Sequence, residues 1–321
     1  MRDYSTHRRV GVSTGTNIKS VISGVIIILT IIYFVTHFLP KLSSPNIKPD
    51  PSVYPSPSEK KKEPLIKNNI SSQKELIAKV QDIAKNTGGT SSVYIYDINK
   101  KQGFGINENM VLTAASVNKM AILAALYYLA GREEIDLEKE IILQQKDIQD
   151  YGTGSIRYDP SGTPYSLKTL ARLMMEKSDN TAAYILGSLT LGLDKIQQLV
   201  TSWGLTQTNL ADNKTSVKDM SILLSKMYKE EITTKPLTSE MLDFMDKSDF
   251  EDRIPAGVDE GIKVYHKTGD EIGKIHDVGI VDLPGKPYYI GIMTTDMTDD
   301  ENTKKALAQI SSLVFSYMKS L

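Results

Sequence analysis

The feature that most restricts how this chain can fold is a nearly unbroken apolar run from Val21 to Leu39. As a helix, these 19 residues would extend roughly 28 Å, which is close to the about 30 Å hydrocarbon core of a bilayer. A cleaved signal peptide is the alternative, but the run is long for one and no small-x-small cleavage site follows it. We therefore predict a transmembrane anchor at 21–39 that contacts the lipid bilayer.

Basic residues are more frequent before this anchor than just after it. They are Arg2, Arg8, Arg9 and Lys19 on one side, and Lys41 and Lys48 on the other. Because such residues stay on the cytoplasmic side, the bias places a short tail, 1–20, in the cytoplasm and everything after Pro40 outside. The Arg8-Arg9 pair is a weak hint of a twin-arginine signal. We expect a single-pass protein of the cell membrane with an extracytoplasmic domain.

Residues 40–71 have the composition of a tether. Prolines are interleaved with serines and with the Lys60-Lys61-Lys62 cluster. Such a segment cannot bury enough apolar surface to fold, and proline keeps it extended. Folding is expected to resume at Ser72, which has the spacing of a helix-capping box with Glu75. The folded domain is therefore predicted at 72–321.

The composition excludes several classes of function. The chain has no cysteine and only four histidines, so disulfides, thiolate metal sites and cysteine-linked lipid anchors are excluded. Two of the histidines, His7 and His37, lie in or before the apolar run, so we predict neither a metal site nor a cofactor. A formal net charge of −1 gives no electrostatic reason to expect nucleic acid as a partner. We expect a monomer.

The order of the predicted elements indicates an α+β fold. Strands are expected near both ends of the domain, at 93–98, 104–106, 262–267, 278–283 and 288–295. Helices are expected at 72–86, 116–131, 166–177, 179–190, 194–202, 216–229 and 300–320. This is not the strand–helix alternation of a parallel sheet. We therefore predict one antiparallel sheet assembled from both chain ends and flanked by a helical region.

The chemically most informative segment begins at Ser116, which opens an apolar helix and is followed three residues later by Lys119. Residues three apart share a helix face, so Lys119 could take the hydroxyl proton of Ser116 if its pKa were lowered. The spacing alone carries little weight, because Ser58-Lys61, Ser71-Lys74 and Ser316-Lys319 repeat it. Only Ser116 opens a long apolar helix.

Two further tripeptides single out Ser116. Ser178-Asp179-Asn180 follows a predicted helix end, and on its own it could be no more than a helix cap. Lys267-Thr268-Gly269 ends a predicted strand, and on its own it could be a strand running into a turn. On average composition each should occur by chance in on the order of several per cent of chains this long, and both together in well under roughly 1%.

With Ser116 and Lys119, these tripeptides resemble the motif set of the class A serine β-lactamases and penicillin-binding proteins. The resemblance extends from about residue 73 to the C-terminus. The segment 178–183 is similar to that family's central helix, and 276–281 is similar to the strand after its Lys-Thr-Gly strand. Tyr151–Ser155 lies where the family has a cleft-lining loop, so Tyr151 is expected at the rim. A β-lactamase/transpeptidase-like fold is implied.

The resemblance also implies a role for each matching residue. Ser116 would attack the substrate carbonyl, Lys119 would act as general base, and Ser178 would relay a proton to the leaving nitrogen. Asn180 would hold the amide of the acyl side chain. Lys267, Thr268 and Gly269 would form the anchor for the substrate carboxylate. The oxyanion would lie between the backbone N–H groups of Ser116 and Asp270.

The sequence departs from the family at the step that releases the acyl group. Class A β-lactamases hydrolyse the acyl-enzyme with a glutamate on a loop after the Ser-Asp-Asn helix. No glutamate occurs between Asn180 and Glu230. Asp212 is the one candidate substitute.

A second departure is the acidic Asp270 next to Lys-Thr-Gly, which could weaken the binding of an anionic substrate. Arg157 and Arg253 are the candidates for a further cation that would hold the substrate carboxylate. Their positions in the fold cannot be read from the sequence.

These observations favour a membrane-anchored serine hydrolase that forms an acyl-enzyme at Ser116 with β-lactams or D-alanyl-D-alanine peptides of peptidoglycan. The resemblance favours a β-lactamase, whereas the missing glutamate favours a D,D-carboxypeptidase-like or acylation-only activity. A slow penicillin-binding sensor or a scaffold is the second hypothesis, although the tail at 1–20 is too short to hold a signalling domain. An unrelated tethered binding module is the third.

Overall fold

A computed structural model describes Ile70 and residues 72–321, which contain a five-stranded antiparallel sheet with helices packed on both faces. The predicted tail at 1–20, the anchor at 21–39 and nearly all of the tether at 40–71 lie outside the described residues. Within Ile70 and 72–321, no helix is long and apolar enough to cross a membrane. The α+β class predicted from the order of the elements is confirmed.

The main sheet joins the two ends of the domain. Its strands follow the order β2-β1-β9-β8-β7. The strands are β1 (Thr90–Asp97), β2 (Gln102–Ile106), β3 (Leu112–Thr113), β4 (Glu140–Ile142), β5 (Pro164–Ser166), β6 (Lys214–Thr215), β7 (Val264–Glu271), β8 (Lys274–Val281) and β9 (Tyr288–Thr295). β1 pairs with β9 over its full length, with Thr90 opposite Thr295. β3 pairs with β6, and β4 with β5, in two small separate ladders.

The described residues contain eight α-helices. They are α1 (Gln73–Lys85), α2 (Lys119–Ala130), α3 (Leu167–Glu176), α4 (Asn180–Tyr184), α5 (Leu193–Ser202), α6 (Val217–Tyr228), α7 (Lys235–Met245) and α8 (Asp300–Ser320). α4 continues into a π-helix at Ile185–Leu191. Most starts coincide with a side chain that accepts a first-turn N–H, which explains where those helices begin. These caps are Ser72, Ser166, Asp179, Ser216 and Asp299.

The central helix α2 is enclosed on all sides. Ten of its 12 residues are buried, as expected for a helix that is apolar around its whole circumference. A short 3₁₀ turn, Ala115–Asn118, leads into it. Because the core cannot shift without losing contacts, the residues at the start of α2 are held in a fixed position relative to the sheet.

The two faces of the sheet pack against different helices. Alternate residues of β1 make this clear, since successive side chains in a strand point to opposite faces. Val93 and Ile95 belong to the apolar cluster formed with α1 and α8, whereas Tyr94 belongs to the larger cluster built around α2. The motif residues discussed below gather at the edge of this second face.

The structure corrects several predicted boundaries. β7 runs to Glu271, so Lys267-Thr268-Gly269 lies inside the strand and does not end it. The turn follows later, at Ile272 and Gly273, and only Gly273 has the positive φ, 70°, that the turn needs. α7 at Lys235–Met245 was not predicted at all, because its apolar residues follow a proline and a run of polar residues.

Candidate active site

Ser116 lies in the 3₁₀ turn that precedes α2, at the junction between the helical region and the sheet. The residue before it, Ala115, has a φ of 47°, a conformation that side chains other than glycine adopt at a cost. Ser116 itself is half-buried, and its hydroxyl makes no hydrogen bond to any described residue. The turn therefore presents an accessible hydroxyl on a constrained piece of backbone.

The edge strand β7 passes unusually close to this turn. A Cβ atom added to Gly269 would lie 2.9 Å from the carbonyl oxygen of Ala114 and 3.2 Å from the backbone nitrogen of Ser116. Only glycine allows that approach. Since β7 is the last strand of the sheet, one side of its backbone has no partner strand and can face a substrate. This is where the N–H groups of Ser116 and Asp270 are expected to hold an oxyanion.

Lys119 points to the Ser-Asp-Asn segment. Its Nζ donates to the backbone oxygen of Ser178 at 2.6 Å, to Ser178 Oγ at 3.2 Å and to Asn180 Oδ1 at 2.7 Å. No hydrogen bond joins it to Ser116 in the described structure, although Lys119 begins the helix only three residues after Ser116. Lys119 must therefore exchange a partner to reach the Ser116 hydroxyl.

Ser178 joins the two motif lysines. Its Oγ contacts Lys119 Nζ at 3.2 Å and accepts from Lys267 Nζ at 3.0 Å. Lys267 also donates to the carbonyl oxygen of Thr268 at 3.1 Å. Ser178 has a φ of 50°, so its backbone is held in a sparsely populated conformation. The hydroxyl of Ser178 thus lies between the amino groups of two buried lysines.

Burial controls the protonation of both lysines. It lowers the pKa of Lys267 to about 7, with Asp277 and Asp270 opposing part of the shift. Burial also lowers the pKa of Lys119 well below its usual value, and the nearby positive charge of Lys267 lowers it further. Two adjacent cations in a low-dielectric site repel each other, so the neutral form is favoured. A neutral Lys119 can act as a base.

Hydrogen bonds between side chains and backbone atoms join the loop before the Ser-Asp-Asn segment to that segment. The Oγ1 of Thr153 donates to the carbonyl oxygen of Ser178 at 2.7 Å, and Asn180 Nδ2 donates to the carbonyl oxygen of Tyr151 at 3.0 Å. Asp179 caps α4 and also accepts from two N–H groups of this loop. A Cβ on Gly154 would lie 2.4 Å from Asp179 Oδ2. The Tyr151 side chain is 65% exposed, as a rim position requires.

Both ends of the Asn180 amide are already occupied. Its Oδ1 accepts from Lys119 and its Nδ2 donates to Tyr151. Each end keeps one further bonding position, because an amide oxygen accepts two hydrogen bonds and an NH₂ group donates two. A substrate amide can therefore bind to Asn180 beside these partners, and one that displaces Lys119 from Oδ1 would release it toward Ser116.

Asn213 holds the nucleophile turn and was missed from the sequence. Its backbone oxygen accepts from the N–H of Ala114 at 2.7 Å. Its Nδ2 donates to the carbonyl oxygen of Ala115 at 3.3 Å, and its Oδ1 accepts from Asn118 Nδ2 at 2.9 Å. Asn213 therefore contacts residues on both sides of Ser116, and its own φ is 49°. Asparagine in a turn between a loop and a strand gives no sequence signal beyond its tolerance of that conformation.

Asp270 is neutralised by a buried arginine. Arg253, 1% exposed, pairs with both carboxylate oxygens of Asp270 at 2.7 Å and donates to the backbone oxygen of His276 at 2.8 Å. Arg253 therefore offsets the negative charge by which Asp270 was expected to weaken the binding of an anionic substrate. Arg253 is likewise not a free carboxylate-binding cation, and Arg157 lies over the ring of its neighbour Tyr158.

A second buried pair lies behind β7. His266 Nδ1 is 2.8 Å from Asp277 Oδ1, and Asp277 Oδ2 accepts from the N–H of Ile254 at 3.0 Å. Burial acts to lower the pKa of His266, but the Asp277 carboxylate outweighs it and the pKa rises to about 9. The protonated form of His266 is therefore favoured at neutral pH, and its bond to Asp277 fixes β7 to β8.

Asp212, the candidate substitute for the family's glutamate, is not aimed at Ser116. It is exposed, and its carboxylate accepts from Asn209 Nδ2 within a local turn at 2.9 Å. Of the two other acids between Asn180 and Glu230, Asp194 is exposed in the first turn of α5. Asp219 is buried and accepts from the N–H of Gln207 and from the Thr208 hydroxyl. It holds the loop closed and does not reach the nucleophile turn. In the part of the chain that the structure describes, no cluster of acidic and histidine side chains could hold a metal ion.

A serine, two neutralisable lysines and a bridging serine between a helical region and an antiparallel sheet form the motif arrangement of the class A β-lactamase-like serine hydrolases. The model of the β-lactamase enzyme family matches residues 75–318. The chain belongs to this family.

Three relatives illustrate the similarity. β-Lactamase VEB-1 of Pseudomonas aeruginosa is 22% identical over 270 residues, which cover 75% of this chain and 90% of that protein. The structure of PBP-A is 25% identical with a TM-score of 0.72, covering 78% of this chain and 97% of PBP-A. A β-lactamase from Sphaerobacter thermophilus DSM 20745 is 24% identical with a TM-score of 0.72, covering 76% and 97%. A PBP-A mutant with a TM-score of 0.71 has been solved as an acyl-enzyme complex with penicillin G.

Proposed function

We propose that this chain is a membrane-anchored, extracytoplasmic serine enzyme that is acylated at Ser116 by β-lactams or by D-alanyl-D-alanine peptides and releases the acyl group slowly. The observation that carries the proposal is the position of Ser178 Oγ between Lys119 and Lys267. That arrangement provides a proton route next to an accessible serine on a rigid helix. Burying two lysines costs folding free energy, and we attribute that cost to the proton route.

Acylation needs a base, and the neutral form of Lys119 supplies it. Ser116 Oγ forms a bond to the substrate carbonyl carbon as its proton passes to Lys119 Nζ. The oxyanion is held by the N–H groups of Ser116 and Asp270. When the C–N bond breaks, the proton of the Ser178 hydroxyl passes to the leaving nitrogen and Ser178 recovers one from Lys119. Lys267 keeps the Ser178 oxygen polarised throughout.

The substrate itself completes the site. A side-chain amide of the substrate accepts from the second N–H of Asn180 Nδ2 or donates to Oδ1, where it competes with Lys119. Where it displaces Lys119, Nζ is free to turn toward Ser116. The carboxylate of the substrate lies near Lys267 and Thr268, where its negative charge favours protonated Lys267. Substrate binding and the positioning of the base are therefore coupled through Asn180.

Slow release is expected because the acids that could replace the family's glutamate are not directed at Ser116. A positioned general base is typically worth 10²–10⁴-fold, or roughly 3–5 kcal/mol. Neither Asp212 nor Asp219 is oriented toward the nucleophile turn. Water must then be activated by the Ser178 and lysine groups alone, so an acyl group derived from a β-lactam should persist. This favours a D,D-peptidase or penicillin-binding activity over a fast β-lactamase.

The predicted anchor would place the domain where the proposed peptidoglycan substrates are found. The predicted membrane span at 21–39 and the tether at 40–71 would hold the domain at the outer surface of the membrane. Peptidoglycan stem peptides are assembled there. A sensor or scaffold that keeps the same site is the alternative, and it differs by showing no turnover of peptide.

A fluorescent penicillin tests the assignment of the nucleophile. The full chain is incubated with the label, and covalent labelling and its decay are followed over time. We expect labelling of the wild type, none of Ser116→Ala, and normal labelling of Ser316→Ala. The last is a matched control, because Ser316 and Lys319 repeat the serine–lysine spacing at the end of α8.

The time course then separates the activities. Label that persists for many minutes supports slow release, whereas loss within seconds contradicts it. Equal labelling of wild type and Ser116→Ala would remove the basis of the proposal. Release of D-alanine from a D-alanyl-D-alanine peptide by the wild type and not by Ser116→Ala distinguishes a peptidase from a sensor.

A further inference from the structure

A groove of about 320 Å³ lies between β1 and α6, and none of its lining residues belongs to the site described above. Its floor is formed by Tyr94 and Tyr96, whose rings are stacked with centroids 6.4 Å apart and an interplanar angle of 25°. Its wall is one face of α6. A volume of this size admits a ligand of about one or two sugar rings.

The charge of the groove is positive. Lys218, Lys226 and Lys229 line it, and all three are half-buried rather than extended into solvent. The one carboxylate among the lining residues, Glu231, pairs with Lys226 at 3.2 Å. Lys218 and Lys229 have no ion-pair partner among the described residues. Three ammonium groups against one carboxylate leave two positive charges in a chain whose formal net charge is −1.

The polar groups of the groove are also incompletely satisfied. Ser225 is 8% exposed, and its Oγ has no hydrogen-bond partner in the described structure. A serine inside a helix ordinarily bonds to a preceding carbonyl oxygen or points to solvent. Ser221, one turn earlier, does so by donating to Lys218 O at 2.7 Å. The Ser225 hydroxyl is itself buried, so a polar group without a partner lies directly beneath the unpaired ammonium groups of the groove.

We propose that this groove binds a saccharide that carries a carboxylate or phosphate group. The tyrosine rings provide an apolar face for the C–H side of a sugar ring, and their hydroxyls provide polar edges. Lys218 and Lys229 bind the anionic group. Glu108 contributes a negative charge near Tyr94 but does not line the groove, so it does not cancel the two free cations. The site is independent of acylation at Ser116.

Calorimetry with simple anionic sugars tests the proposal. The probes are N-acetylmuramic acid for the carboxylate and glucosamine 6-phosphate for the phosphate, with N-acetylglucosamine as the neutral reference. The full chain carrying Ser116→Ala is titrated, so that the reactive site plays no part. We expect at least one anionic probe to bind about tenfold or more tightly than the neutral sugar, and the better probe identifies the anionic group.

Variants locate the binding. The double substitution Lys218→Gln and Lys229→Gln should weaken the anionic probe about tenfold or more, because each lysine contributes one charge-assisted contact. Lys305→Gln, at an exposed position on α8, is the matched control and should leave binding unchanged. Neither change should alter penicillin labelling when introduced into the chain with Ser116 intact, which also shows that the variants fold.

Any of three results would overturn the inference. Equal affinity for neutral and anionic sugars would mean that the lysines do not recognise a charge. Absence of binding by both anionic probes, or binding that survives the double substitution, would mean that the groove is not their site.

Discussion

Replacing Asn213 by glycine tests how the nucleophile is held. Glycine adopts the observed φ of 49° more easily than asparagine does, so the backbone conformation is preserved. The substitution removes only the side chain, with its bonds to Ala115 O at 3.3 Å and from Asn118 Nδ2 at 2.9 Å. The bond from Ala114 N to the backbone oxygen of residue 213 remains.

The cost in stability can be worked from these contacts. The bond to Ala115 O contributes about 1 kcal/mol net, and the loss of its bond to Asn213 costs the buried amide of Asn118 about 1–3 kcal/mol. The easier backbone conformation of glycine returns up to about 1 kcal/mol. We expect the free energy of unfolding to fall by roughly 1–4 kcal/mol. Urea denaturation measures it through a shift of the midpoint at constant slope.

The effect on acylation should be larger than the effect on affinity. A displacement of about 1 Å at a reacting atom can cost on the order of 10²-fold in rate. We therefore expect the first-order acylation step with penicillin to slow by about 10–100-fold, whereas the concentration that gives half-saturation changes little. A stopped-flow series at rising penicillin concentration separates the two quantities.

Glu230→Gly is the matched control. Glu230 also has a positive φ, 61°, but it is exposed at the end of α6 and contacts no residue of the site. This change should leave acylation unchanged and slightly raise stability. If Asn213→Gly lowers stability as expected while the acylation step stays within about twofold of wild type, Asn213 is a purely structural residue and the argument for positioning fails.

Three further substitutions have expected outcomes. Lys267→Met should stabilise the protein, because a lysine with a folded pKa of about 7 instead of 10.5 opposes folding by up to about 5 kcal/mol below pH 7. The gain should shrink as the pH rises from 7 toward 10.5, and a gain that is constant over that range contradicts the assigned pKa. Gly269→Ala should slow penicillin acylation by about 100-fold, because its Cβ would lie 2.9 Å from Ala114 O; an acylation rate equal to wild type would refute the close approach. Asp270→Asn should cost about 1–3 kcal/mol in urea denaturation by removing one of the two carboxylates that pair with the buried Arg253, the other being Asp252 at 3.3 Å; an unchanged midpoint would show that the Arg253–Asp270 pair contributes nothing.

The sequence predicts those parts of the fold whose signals are local. α2 and β9 are apolar runs of the right length and lie close to where the patterns place them. α1 begins at the cap expected from Ser72. β7 was cut short because Thr-Gly-Asp is typical of a turn, whereas the strand continues through it by pairing with β8. Strand pairing is a tertiary interaction, and it overrides local propensity.

In the candidate site, too, the motif residues could be predicted from the sequence, whereas contacts between distant residues could not. The motifs bring Ser178, Lys119 and Lys267 to one place, as the resemblance implies. The Arg253–Asp270 pair and the contacts of Asn213 lie between residues that are distant in sequence and have no characteristic spacing. They became visible only from the geometry. Asp270 in particular changes from an unexplained negative charge to half of an ion pair.

Conformational strain is concentrated around the nucleophile. Of the eight non-glycine residues with positive φ in the described structure, Ala115, Ser178 and Asn213 all contact the site. Each costs on the order of 1 kcal/mol or more, and the two buried lysines add to the cost. The enclosed helix α2 and the charge pairs around β7 are what allow the protein to keep these conformations. Substitutions that relieve the strain without removing a hydrogen bond should therefore stabilise the fold and slow acylation together, unlike Asn213→Gly, which also removes two side-chain bonds. The exposed positive-φ residues, such as Glu230, should be free of this trade-off.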